Sequence, residues 1–416
     1  FGSVKDLNLG ILTEYLKSRY VQILLVLTVI GALLRFYHLD FNSLWLDEAS
    51  TLTMSRPSFI EIWNIGLSGD FHPPLFHWVE HVMLTFGQSE FVLRFVSAVM
   101  GTLTIPLMYL IGKEFRDRNV GIIAAALMTV SGFGIYYSQE AYSYAMVLFV
   151  FSLVLLFYLR AIRTDTVTDW ILFGIFSALA FWTHYYVLIP LGVLYLHALI
   201  TIRDRLATGI AGIKNIVLAF VTMTILIVPL IIIVVERYFT LTAEPPTYGV
   251  LGPILIPETF FRFSGFNWYL TGLYVLLMAA GFLYLFGKDR NKCLFSLMFL
   301  VLPLVASVLI SARMTMNPRY LIYLLPVFFV MIALSYPLMH RVIPNKKLVY
   351  AFIAVIFVIN APVLGNYYTT FQKEDWRGFA GMIGTATNPG DIVVVAPAYI
   401  SQPFTLGKRD IASFER

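Results

Sequence analysis

This sequence is short of charge. Asp, Glu, Lys and Arg make up 13% of the 416 residues, against 59% hydrophobic, where about 25% charged is usual for a soluble domain. That shortage excludes an ordinary water-soluble globule, and a mean hydropathy of +0.79 points to an integral membrane protein. A single cysteine, Cys293, excludes an internal disulfide framework. A P-loop, a Rossmann glycine pattern, a G-x-S-x-G elbow and a Cys-x-x-Cys pair are all missing. Chemistry driven by a bound nucleotide is therefore not expected, and a substrate carried in the bilayer becomes attractive. No repeat of about 20–50 residues and no low-complexity tract is visible. No cleavable signal peptide is expected, because the first apolar run is too long and no small-residue cleavage site follows it.

What is present is a succession of apolar runs. A helix needs about 20 mostly apolar residues to cross the hydrocarbon core. Eleven candidate spans follow, at 20–38, 91–112, 120–137, 141–160, 169–184, 186–202, 215–235, 268–287, 293–311, 320–339 and 348–366. The run 75–87, of 13 residues, suits an interfacial or re-entrant helix better than a span. Basic residues orient the chain. With the N-terminus cytoplasmic, the inner loops receive Lys5, Lys17 and Arg19; Lys113, Arg116 and Arg118; Arg160 and Arg163; Arg203, Arg205 and Lys214; Lys288, Arg290 and Lys292; and Arg341, Lys346 and Lys347. These are 17 of the 29 Lys and Arg, and a spanning 75–87 would destroy the bias. The net charge of +5 is thus mainly a topology signal, with no nucleic-acid partner expected.

The spans define a transmembrane domain over 1–366, whose first outer loop is 39–90. The tail 367–416 changes character. KEDWRGFAGMIGTATNPGDIVVVAP reads as a helix, an Asn-Pro-Gly turn and a buried-type strand, the start of a small extracytoplasmic α/β segment that is incomplete as it stands.

Polar chemistry gathers on the outer side. SLWLDEASTL places Asp47 and Glu48 in greasy sequence just after the first span. One reading is a helix N-cap. The other is a general base or a metal ligand, since ionisable groups at membrane depth are functional candidates and a low-dielectric site raises a carboxyl toward working pH. In GDFHPPLFHWVEH, the prolines make His72 a rigid entry to a helix beginning near 75. His77 and His81, spaced i, i+4, are either a metal pair or interfacial anchors. YYSQEAYSYA sets Glu140 at the outer corner between two spans, as a helix cap or as a partner of Asp47. THYY puts His184 and Tyr185 at another outer corner. Arg35, Arg94, Arg237, Arg262, Arg313 and Arg319 are scattered over that side, either snorkelling or available to a lipid phosphate.

Taken in order, LWLDEA, HPPL, EFVLRFVSAVMGTLTIPLMYLIGKEF, YYSQEA, THYY, NPRYLIYLLP and KEDWR…PGD cover most of the chain. The set resembles the polyprenyl-phosphate-dependent membrane glycosyltransferases of the C-type fold, above all the protein O-mannosyltransferases and aminoarabinose transferases of family 39 and its relatives. Each motif is short; their order carries the specificity. The resemblance implies an all-α polytopic fold in the cell membrane with its active site on the extracytoplasmic face. It implies an inverting transferase that moves a sugar from a polyprenyl-phosphate donor to a hydroxyl of a protein, lipid or glycan acceptor. Asp47 would be the catalytic base and Glu48 the second acid of the pair. His72, Glu140, His184, Tyr185, Arg262, Arg313 and Arg319 would bind substrate, with Arg319 assigned to donor phosphate or to structural pairing. Some members hold a divalent metal ion near the acids, which makes Asp47, Glu48, His72 and Glu140 the candidate ligands; no other cofactor is implied. One departure is plain: many relatives carry Arg after Glu-Ala, where this chain has Tyr142. The rival classes are a secondary transporter or lipid flippase, which would show paired halves with broken helices, and a scaffold in which the motifs are only caps and anchors.

Overall fold

The computed structural model describes residues 18–68, 72–203, 210–241, 249–370, 373–388, 392–395 and 401–408. Lys5, Lys17, Arg205 and the side chain of Arg237 lie outside the described residues, as do residues 389–391, which include Pro389 and Gly390 of the expected Asn-Pro-Gly turn. The described chain is helical. α1 (Arg19–Phe36) leads into α2 (Leu46–Ser55), α3 (Phe59–Ser68) and α4 (Leu75–Met83); then come α5 (Glu90–Phe115), α6 (Arg118–Thr129), α7 (Gly132–Ser138) and α8 (Tyr144–Thr164). α9 (Val167–Thr183), α10 (Leu188–Thr201), α11 (Ile210–Leu241), α12 (Leu255–Phe263), α13 (Trp268–Phe286) and α14 (Arg290–Ile310) follow. A 3-10 stretch at Pro318–Leu324 opens α15 (Leu325–Ala333), then α16 (Tyr336–Val342), α17 (Leu348–Thr369), α18 (Trp376–Ala386) and α19 (Ser401–Lys408).

Among the described residues, eight helical stretches are long and apolar enough to cross a membrane, nine if the bent pair α6–α7 is one span. α9, and Tyr185–Thr201 with α10, are shorter apolar helices. Each of the eleven expected segments is therefore helical, and two are shorter than a full span. α4, nine residues long, falls short of a span, as expected of 75–87.

Burial sorts the helices. α15 and α6 are buried on every face, which is why LPVFFVMIA and GIIAAALM are apolar all round. α1, α11, α13 and α17 bury one narrow stripe each and turn Leu33, Ile232, Leu276 and Val358, each more than 60% exposed, outward toward lipid. Small residues let the central helices close up. A Cβ on Gly121 of α6 would lie 2.4 Å from the Tyr109 carbonyl oxygen of α5.

Two expectations need correction. The segment 120–137 is not one straight helix but bends by 58° between α6 and α7. The break frees carbonyls that cannot go unpaired in a bilayer. Arg35, fully buried on α1, supplies the donors: Nη2 to Met128 O at 2.9 Å and Nη1 to Thr129 O at 3.3 Å. A helix C-terminus also favours a cation. Second, the tail has the expected helix, α18, but Ile392–Val395 join no ladder, and no strand is present among the described residues. Their exposure alternates with the period of a strand, yet without a partner the backbone groups have nothing to pair with.

Candidate active site

The corners expected on one side of the membrane do meet. The loop before α2, the α7–α8 corner, the α9–α10 corner, the turn before α15 and the start of the tail converge on Asp47 and Glu48. At the opposite end lie the basic loops, with Arg163 paired to Glu114 at 2.9 Å and Lys292 donating to Glu114 O and Phe115 O.

The two adjacent acids have separate lives. Trp45, not Asp47, is the N-cap of α2, and Glu48 Oε2 accepts from Trp45 N at 3.4 Å, so the capping reading passes to Glu48. Arg94 of α5 grips Glu48 with a bidentate fork, Nε to Oε1 and Nη2 to Oε2, both at 2.7 Å. Its remaining donors go to Leu39 O, Asn42 O and Ser43 O, which uses the five N–H bonds of a guanidinium. Glu48 Oε1 also accepts from Ala141 N at 2.8 Å and lies 3.0 Å from Lys373 Nζ. Burial alone would raise the Glu48 carboxyl; Arg94 and Lys373 outweigh it and hold the group down at about 2. Glu48 is thus held as an anion that joins four segments.

Asp47 points elsewhere. Its Oδ2 lies 3.0 Å from Arg319 Nη1, the side chains being 21% and 17% exposed, so this acid is partly exposed where Glu48 and Glu140 are fully buried. Asn317 caps the turn and accepts from Arg319 N at 3.2 Å. Three rings hold the guanidinium: Trp45 at 5.6 Å, Tyr144 at 5.4 Å and Tyr320 at 5.7 Å. A cation so caged by aromatic faces is oriented without being neutralised.

Glu140 sits behind this pair. It is fully buried, and among the described residues neither carboxyl oxygen has a hydrogen-bond partner. Burial raises it to about 7; Lys373 and Arg319 work against the rise, while Glu48 and Asp47 add to it. Gln139 fixes the corner by donating to Arg35 O and Tyr37 O at the end of α1 and accepting from Tyr367 Oη at 2.7 Å.

The remaining expected residues divide. His72 Nε2 meets Tyr142 Oη at 2.7 Å, so the departure at Tyr142 is a partner for His72. The His184 ring lies 6.4 Å from that of His72 and 5.5 Å from that of Tyr320. Burial, helped by His72 and Arg319, lowers His184 to about 3, which keeps the imidazole neutral. The Tyr185 ring packs on Phe181, and its neighbour Tyr186 stacks on Tyr320 at 5.1 Å. Arg262 is spent on Glu258 at 2.8 Å and reaches Asn317 Oδ1 at 3.5 Å, so it braces the Arg319 turn. Arg313 is exposed after α14 and makes no described ion pair with the acids.

A metal centre is not assembled among the described residues: no three His, Cys, Asp or Glu side chains converge there on a common point. Of the four expected ligands, Glu48 serves two cations, Asp47 faces Arg319 and His72 meets Tyr142. His77 and His81 tie α4 to the end of α2: His77 Nδ1 lies 3.2 Å from Ser55 Oγ and His81 Nδ1 2.9 Å from Ser55 O. Between them Glu80 is buried, with neither oxygen partnered among the described residues. Burial, then Glu48, pushes its pKa up.

Lys373 is the residue that the sequence reading missed. Its signal was the tail element KEDWR, quoted there without a role for the lysine. A cavity of about 280 Å³ adjoins the cluster on the side of α7 and α17, lined among others by Gly132, Tyr136, Asn267, Asn366 and Tyr367.

The sequence model of the family described as dolichyl-phosphate-mannose-protein mannosyltransferase matches residues 71–233. That stretch holds His72, Glu140 and His184 and leaves Asp47 and Arg319 outside it. The crystal structure of ArnT from Cupriavidus metallidurans bound to undecaprenyl phosphate matches with a TM-score of 0.59 at 16% identity, over 88% of this chain and 66% of that one. Archaeal oligosaccharyltransferase AglB from Archaeoglobus fulgidus, in complex with an inhibitory peptide and a dolichol-phosphate, matches with a TM-score of 0.55 at 14% identity, over 90% of this chain and 59% of that one. An uncharacterized protein of Aquifex aeolicus (strain VF5) is 26% identical over 136 residues, 30% of this chain and 27% of its own length. The chain has the C-type glycosyltransferase fold, and the resemblance carried by its motifs points to the same group of proteins. It spans less than two thirds of the length of each of these relatives.

Proposed function

We propose that this chain is a glycosyltransferase that moves a sugar from a polyprenyl-phosphate donor to a hydroxyl acceptor, with inversion, on the extracytoplasmic face of the cell membrane. The observation that carries the reading is the half-open Asp47–Arg319 pair beside the buried, unpartnered carboxyl of Glu140. A lipid-phosphate donor brings an anion to the aromatic-caged Arg319 and releases Asp47 from its pairing. Asp47 then takes the acceptor proton as the acceptor oxygen bonds to the anomeric carbon. The bond from that carbon to the phosphate oxygen breaks, and its electron pair leaves with the polyprenyl phosphate. Attack and departure on opposite faces invert the anomeric centre, and Arg319 stabilises the charge gathering on phosphate. No step is routed through a metal. A donor delivered within the bilayer accounts for acids placed in greasy sequence and for the missing nucleotide-binding motifs. The crowding of the charged groups at one end of the bundle disfavours the transporter reading, which calls for a midplane site.

The test is transfer from a panel of radiolabelled polyprenyl-phosphate sugars by purified wild type and Asp47→Asn, with and without chelator. Proton abstraction by a positioned base is worth about 10²–10⁴-fold, so Asp47→Asn is expected to lose at least about 100-fold while folding normally. Full turnover by well-folded Asp47→Asn would sink the mechanism.

A further inference from the structure

The segment after the last span is fastened to the acidic loop at several points. Lys373 Nζ, on a side chain 3% exposed, lies 3.0 Å from Glu48 Oε1 and donates to Gln139 O at 3.1 Å. Ser43 Oγ donates to Glu374 O and accepts from Trp376 N, both at 3.0 Å. Arg377 pairs with Glu90 at the start of α5. α19 packs on α2, and Leu406 lies against the small core of Leu44, Leu52, Leu93 and Ala141. One ammonium therefore touches both walls of the candidate site, the loop that carries Asp47 and the corner that carries Glu140.

We propose that the tail is a working part of the site and that Lys373 is its positioning residue, tying Glu48 to the Gln139–Glu140 corner and so fixing Asp47 relative to Glu140. The proposal rests on the transferase reading above. Ala141 N also joins this corner to Glu48, at 2.8 Å, and Arg94 reaches Glu48 from α5 without a described contact to the Gln139 carbonyl, so Lys373 is the side-chain tie that works beside that one backbone hydrogen bond. Glu48 follows Asp47 directly in the first turn of α2, and a shift of one carries the other. Misplacement of a reacting group by about 1 Å costs on the order of 100-fold. Arg319, the proposed donor contact, stands on a different element and keeps two of its three rings, Tyr144 and Tyr320, off the loop that Lys373 holds.

The experiment uses the full chain in detergent or nanodiscs and a radiolabelled polyprenyl-phosphate sugar that wild type turns over. Binding stoichiometry, Kd and kcat are measured for wild type, Lys373→Met, Lys373→Arg and Asp47→Asn. Lys373→Met is expected to bind about one donor per chain with Kd within about threefold of wild type, while kcat falls on the order of 100-fold; Lys373→Arg restores part of it. Full binding stoichiometry separates this outcome from a loss of folded protein. Lys373→Met with kcat within about threefold of wild type would overturn the proposal while leaving the transferase reading intact, provided Asp47→Asn is inactive. Wild type that turns over no donor would overturn both. If Lys373→Met does not fold, Ser43→Ala removes two tail contacts and no charge; a kcat loss of about tenfold supports the proposal, and unchanged kcat overturns it.

Discussion

Replacing Arg94 by lysine keeps the charge and removes the fork. In the folded chain Arg94 makes two hydrogen bonds to Glu48 and three to the carbonyls of Leu39, Asn42 and Ser43, the longest being 3.2 Å. A lysine ammonium offers about three donors from a single point, so at least two of these five hydrogen bonds are lost. Hydrogen bonds to charged groups contribute about 1.5–3 kcal/mol each, and removing one partner of a buried pair altogether costs about 3–5 kcal/mol. Lysine retains part of the pair, which sets the expected cost at about 3–4 kcal/mol. The loss falls on segment 39–55, so hydrogen exchange read by mass spectrometry on peptides from that segment is the direct assay. At tenfold per about 1.4 kcal/mol, exchange there should quicken on the order of 10²–10³-fold. Arg163→Lys is the control: Arg163 is 59% exposed in its pair with Glu114, and such pairs contribute under about 1 kcal/mol. Exchange in 39–55 within about threefold of wild type for Arg94→Lys would refute the view that the fork, beyond its charge, holds the acidic loop.

Other outcomes follow from the same geometry. Glu140 titrates at about 7 in the folded chain against an ordinary 4.5, so the folded state keeps a proton that the unfolded chain has lost. Stability should therefore fall as pH rises from about 4.5 to about 7, and melting curves of Glu140→Gln across that window should lack the slope. His184 has the opposite sign: it titrates at about 3 against an ordinary 6.5, so the unfolded chain takes up the proton first. Its contribution is complete above about 6.5 and is lost as pH falls toward about 3, which His184→Asn should flatten in the same melts. Arg319→Lys loses the planar fork and its stacking among three rings. It should weaken donor binding roughly tenfold or more, one tenfold being about 1.4 kcal/mol, whereas unchanged donor affinity would remove Arg319 from the phosphate site.

Legibility followed the range of the interactions. The LWLDEA, YYSQEA and NPRY corners were readable because each is a short polar element between apolar runs, and the placing of Lys and Arg predicted which loops would meet at one end. The bend after Thr129 was not readable, because the donors that make it tolerable come from Arg35, about a hundred residues earlier. Glu48 looked equivalent to Asp47 in the sequence, since neighbours in a chain share composition. They diverge because successive residues of a helix point about 100° apart, one toward Arg94 and the other toward Arg319. Tyr185 and Tyr186 divided for a similar reason, in a 3-10 turn where one ring finds Phe181 and the next finds Tyr320.

The sequence by itself determined that the chain is helical and lipid-embedded, that its polar motifs gather at one end of the bundle, and which short elements carry them. Those properties follow from solvation and from contacts three or four residues apart. Only the tertiary structure decided which acid is locked between two cations and which stays partly exposed. That depends on where Arg94, Lys373 and Arg319 arrive, and their positions are set by the packing of α5, the tail and the turn before α15, elements separated by dozens to hundreds of residues.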